Sequence, residues 1–142
     1  METSLLCVLA YALWTLVPLV FGVGAYRVIS VLTGRPANSF PADKSHEGPD
    51  WYHRMNRAHL NCVENLPVYA CVVFVGVGLR VDTQMWTLCT IGIVFCRIMQ
   101  TIVHMISVAP MAINTRFTFF ALQLLGLGAL AVCILQHVLI RP

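Results

Sequence analysis

Arg54, Arg57, Asn61, Glu64 and Asn65 follow one another at helical offsets and run without a break into an apolar stretch, Val68 to Leu79. At about 100° per residue, with Arg57 at zero, Glu64 lies near −20°, Asn61 near +40°, Arg54 near +60° and Asn65 near +80°. Five polar groups therefore share one stripe, while His59 falls near 200°, on the far side, and is no partner of Arg57. Guanidinium groups recognise carboxylates through a planar fork of donors, and a carboxylate accepts from a cation, so the chemistry on offer is the binding of a small charged molecule. The competing reading is a structural polar network that holds helices together. A second polar row, Arg97, Gln100, Thr101 and His104, repeats at i, i+3, i+4 and i+7.

The elements that must carry these residues are membrane helices. The chain has 142 residues, 58% hydrophobic and 11% charged, where soluble domains run at about 25% charged. Four apolar stretches are long enough to cross a bilayer: Leu5 to Leu32, Arg57 to Leu79, Met85 to Val108 and Thr115 to Ile140. The expectation is one all-α domain over 1–142, a four-transmembrane-helix bundle with helices at about 5–32, 50–79, 85–108 and 115–140 and a long first loop at 33–49. From Leu66 to Leu79 a helix rises only about 21 Å, short of the roughly 30 Å hydrocarbon layer, so the second span must begin near Arg57. Charges are thereby carried into the bilayer, where each costs at least about 2.5 to 3.5 kcal/mol unless it meets protein, water or a ligand; Arg57, Asn61 and Glu64 are candidate binding residues on that ground.

The first stretch has Glu2 instead of a basic flank and exceeds a signal-peptide core in length, so it reads as a retained helix. Pro18 and Pro67 each remove a helical hydrogen bond, at the carbonyls of Trp14 and Val63, and predict bends there. In the first loop, with Pro36, Pro41 and Pro49, Asp50 is expected as the N-cap of the second helix, and Trp51 and Tyr52 as markers of the interface. Six cysteines form no CxxC pair and read as small apolar groups in the core, and the five histidines lack zinc spacing, so no metal is expected. Arg27, Arg35, Lys44, Arg54, Arg57 and Arg116 gather on one side of the bundle, Arg80 and Arg141 on the other. The bias points the first and third loops to the cytoplasm and both termini outside or to the lumen. The excess of positive charge suits an anionic small molecule or anionic lipid and argues against nucleic acid.

Arg97 lies about 18 Å into its span and Glu64 about 22 Å into its own, counted from the outer ends, so the two are expected to pair and keep Glu64 ionised.

The run R-x-x-R-A-H-x-N-x-x-E-N from Arg54 to Asn65, followed by Leu66 and Pro67, resembles the second-helix signature of the membrane-associated proteins in eicosanoid and glutathione metabolism, the MAPEG family. The four spans, the long first loop and Arg97 agree with it over nearly the whole chain. The resemblance implies a homotrimer that binds glutathione between neighbouring subunits near the cytoplasmic face, with Arg57, Asn61 and Glu64 holding the tripeptide. Arg97, Arg54, Gln100 and His104 extend that set. An arginine of the family favours the thiolate: Arg116, just after Asn114 and Thr115 at the start of the fourth helix, is the catalytic candidate, with an interface anchor as its alternative role and Arg27 as the second candidate. The implied function is a membrane-bound glutathione-dependent transferase or peroxidase acting on lipophilic electrophiles or lipid hydroperoxides. The alternative is a non-catalytic trimer that binds lipid or scaffolds a partner. Leu60, Gln100 and His104 stand where some members have arginine, histidine and tyrosine, and the segment from His104 to Arg116 is longer than usual.

Overall fold

Long apolar runs in lipid have to satisfy their backbone internally, and the helix does so within one segment. The computed structural model describes residues 1–40 and 48–140. It contains four helices long and apolar enough to cross a membrane: α1 (Glu2–Leu32), α2 (Asp50–Gly78), α3 (Gln84–Ile106) and α4 (Pro110–Ile140). There is no strand among the described residues, so the chain is an all-α bundle. Pro41, Lys44, His46 and Arg141, each weighed in the sequence, lie outside the described residues.

Pro18 leaves its mark on α1 as a widened turn: residues Pro18–Gly24 are π-helical between α-helical Glu2–Val17 and Ala25–Leu32. Beside this turn His59 of α2 donates from Nδ1 to the Thr15 carbonyl at 2.9 Å, which explains why the far side of the α2 stripe carries a polar ring. α2 passes through Pro67 as one continuous helix.

The core is built where α1, α2 and α3 meet, around Tyr11, Cys62, Tyr69, Val73, Trp86, Ile93 and Val94, with Leu130 entering from α4. Trp86 is fully buried and lies on Gly76, where an added Cβ would come 2.0 Å from its ring. Only glycine lets the indole approach the α2 backbone so closely. Its Nε1 donates to Ser4 Oγ at 2.9 Å, tying α3 to the start of α1. Cys62 is buried as expected, whereas Cys71 faces outward.

Two helix ends close in the same way with different residues. After α1, Gly34 (φ 99°) turns the chain while its N–H and that of Arg35 return to the Val31 and Ser30 carbonyls. After α2 the left-handed position is taken by Arg80 (φ 59°), with N–H bonds from Arg80 to Val77 and from Val81 to Gly76.

Three local expectations are corrected. Asp50 is not a cap: Pro49 holds that position and Asp50 is the first helical residue, with no side-chain cap bond. A side-chain cap occurs instead at Thr83, whose Oγ accepts from Trp86 N at 3.1 Å. Tyr52 does not mark the interface; it is fully buried against Tyr26 (4.5 Å between ring centroids) and accepts a hydrogen bond from Arg27 Nε at 3.0 Å. α4 begins at Pro110 instead of near Thr115, so Arg116 stands almost two turns inside the helix. Proline at a first helical position is well suited to start one, since its missing N–H would have no partner there.

Candidate functional site

The polar faces of α2 and α3 meet the first turns of α4 around a cleft of about 550 Å³. α2 contributes Asn61, Glu64 and Asn65, α3 contributes Arg97, Gln100 and His104, and α4 contributes Arg116 with an apolar wall of Ile113, Phe117 and Phe120. The α4 set has the spacing i, i+3, i+4, i+7, which places one guanidinium among apolar side chains on a single face.

Arg97 is the most buried of these groups. It is 2% exposed, its guanidinium carbon lies 5.7 Å from the centre of the Tyr11 ring, and its Nε and Nη2 are buried without a hydrogen-bond partner. The expected pair with Glu64 is not formed: among the described residues the ion pair present is that of the Met1 ammonium with Asp82, at 3.9 Å. The guanidinium is drawn towards α1 by the Tyr11 ring, while Glu64 is exposed on the rim of the cleft. A cation on a membrane helix is thus left with two donor nitrogens unpartnered in the protein interior.

α3 holds Arg116 at two points. His104 Nδ1 accepts from Arg116 Nη1, and Gln100 Nε2 donates to the Arg116 carbonyl at 3.2 Å. Gln100 is itself fixed by Gln123, whose Nε2 donates to Gln100 Oε1 at 3.0 Å and to the Phe119 carbonyl at 2.9 Å. Thr101, the fourth member of the α3 row, turns away from the cleft towards Cys62, 3.4 Å distant.

A model of the MAPEG family matches residues 4–136. The chain belongs to the MAPEG family. No individual curated protein matches it. With four membrane-spanning helices, this MAPEG protein is an integral, multi-pass membrane protein.

Six of the nine candidate site residues line this one cleft together: Asn61, Glu64, Arg97, Gln100, His104 and Arg116. The other three lie elsewhere. Arg57 is exposed and outside the lining, Arg54 donates from Nε to the Met105 carbonyl at 3.2 Å, and Arg27 stands at Tyr52, beside a separate groove with Val28, Val31 and Phe40. Arg54 and Arg57 nonetheless come close enough to His104 to act on it electrostatically. The sequence reading missed Ile113, Phe117 and Phe120, although their spacing around Arg116 was there to be read.

Proposed function

We propose that this MAPEG protein is a membrane-bound glutathione-dependent transferase or peroxidase acting on lipophilic electrophiles or lipid hydroperoxides. The observation that carries the reading is Arg97: its guanidinium is buried with two unpartnered nitrogens, and the residue lines a cleft that also holds Glu64 and Arg116. Burying a cation without an opposite charge is costly, and a carboxylate delivered into the cleft removes that cost. Glutathione carries two carboxylates and one ammonium, a charge pattern that these residues fit.

Arg97 would fork one carboxylate, Glu64 would accept from the ammonium, and Asn61 would offer its side-chain amide. Arg57, outward-facing on the single chain, would hold the other carboxylate across a subunit boundary, which is the support for a homotrimer with its sites between protomers. His104 borders this pocket, while Arg54, fixed to Met105, lies outside its lining. Glutathione supplies a thiol whose anion is the nucleophile towards an electrophile or a peroxide. Arg116 favours the ionised sulfur, and its apolar neighbours keep water from weakening the effect. Phe117 is 70% exposed and Ile113 48%, so the wall beside Arg116 opens towards lipid and would admit the acceptor from the bilayer. Arg27, engaged at Tyr52, is the poorer candidate for the thiol. The lysine and arginine bias supports a cytoplasmic cleft and extracytoplasmic or lumenal termini.

Calorimetric titration with glutathione tests the binding; a dissociation constant between about micromolar and millimolar is expected. Turnover of an aryl halide and of a lipid hydroperoxide should fall in Arg116→Ala, and equal turnover would remove Arg116 from the mechanism.

A second reading is a non-catalytic trimer that binds lipid or scaffolds a partner. It is favoured by a second groove of about 630 Å³ at the other end of α3 and α4, lined by Met85, Ala129, Val132 and Ile140. No heat with glutathione, together with co-purified lipid, would decide for it.

A further inference from the structure

The bond between Arg116 and His104 has a direction that the chemistry of the two groups fixes. A guanidinium has only donors, so His104 Nδ1 must present its lone pair and the ring proton must sit on Nε2. The ring is therefore neutral while this bond stands. The charged groups that act on it are cationic, Arg116 on α4 and Arg57 and Arg54 on α2, while Glu64 of α2 lines the same cleft.

The second hold on Arg116 is one turn away on the same face of α3. Gln100 fixes the Arg116 backbone through its carbonyl, and Gln123 fixes Gln100. The backbone and the guanidinium tip of Arg116 are thus both anchored to α3. A long, flexible side chain with four rotatable bonds is thereby held at one place in the cleft lining, instead of extending to the membrane surface as arginines near helix ends do.

We infer that His104 is a positioning residue for Arg116, a neutral imidazole whose Nδ1 holds the guanidinium at the spot where a thiolate has to be stabilised. The inference rests on the glutathione reading above and adds to it: thiol activation depends on a histidine acceptor that does not itself touch the sulfur. Misplacing a catalytic group by about 1 Å costs up to about a hundredfold in rate, so the hold on the guanidinium matters as much as its charge.

The test compares His104→Phe, which keeps a flat ring and removes the acceptor, with His104→Asn, whose Oδ1 stands close to the Nδ1 position. In each detergent-solubilised protein the readouts are glutathione affinity by calorimetry, the ultraviolet thiolate band of bound glutathione as a function of pH, and kcat and KM with an aryl halide. The expected result for His104→Phe is a thiolate band of bound glutathione that develops only at higher pH and, at saturating glutathione, kcat lower by about tenfold or more. His104→Asn should restore most of both losses. An unchanged thiolate titration and kcat in His104→Phe would overturn the inference, as would an equal loss in the asparagine variant. Nitrogen NMR of the unsubstituted protein gives a readout that does not depend on either variant folding: the His104 ring should be the Nε2–H tautomer, and an Nδ1–H tautomer or a doubly protonated ring overturns the inference. Failure of the unsubstituted protein to bind glutathione at all would instead sink the underlying reading, and is told apart because it precedes any substitution.

Discussion

Two regions of the bundle solve opposite problems. At the end where α2 turns into α3, polar groups are matched: Trp86 Nε1 meets Ser4, Thr83 caps α3, and the Met1 ammonium faces Asp82. Deeper in the bundle Arg97 Nε and Nη2, the Tyr11 hydroxyl and Trp14 Nε1 are buried without partners, and Arg97 borders an open cleft. Buried polar groups are mostly paired, so among these orphans Arg97, the one that also lines the cleft, is where a ligand would supply the missing partner.

The largest way to break the comparison lies at the matched end. Trp86→Ala removes a fully buried indole, empties the space over Gly76 and strands Ser4, and should lower stability by about 3–5 kcal/mol, read as a large fall in melting temperature in detergent. A smaller effect of opposite character is expected at the cleft. Arg97→Leu relieves a buried charge that no carboxylate meets, so melting without ligand should hold or rise, while glutathione affinity falls by about tenfold or more. Thermal shift and calorimetry on the same sample separate the two; a clear loss of melting temperature in Arg97→Leu would mean that Arg97 holds the fold after all. The smallest effect belongs to Arg80, a non-glycine residue in the left-handed region. Arg80→Gly relieves conformational strain of roughly 1 kcal/mol and should raise melting slightly without touching glutathione binding.

Much of this was legible because membrane helices announce themselves. The four spans follow from apolar length, and the α2 stripe and α3 row follow from the helical period, which fixes the angle of a residue around its own axis. What the period does not fix is reach. Glu64 and Arg97 were placed at matching depth, yet the Arg97 side chain is drawn to Tyr11 on a helix that the α2–α3 comparison did not include. Arg57 shared the stripe but lies at its exposed edge. The phenyl wall of α4 was hidden for a different reason: in a helix apolar on nearly every side, Phe117 and Phe120 do not stand out until Arg116 is known to face the cleft. Hydrophobicity alone puts the start of α4 near Thr115, whereas the helix starts at Pro110, a residue suited to a first helical position.

The widened turn at Pro18–Gly24 sets the phase between the two halves of α1. Before it, Tyr11 and Thr15 face the bundle interior; after it, Tyr26 and Arg27 face Tyr52. Shortening that segment by a single residue would rotate everything downstream by about 100° and swing both side chains away from α2. Chain length at this one place is therefore as tightly specified as residue identity, even though most of the side chains within it are ordinary apolar ones.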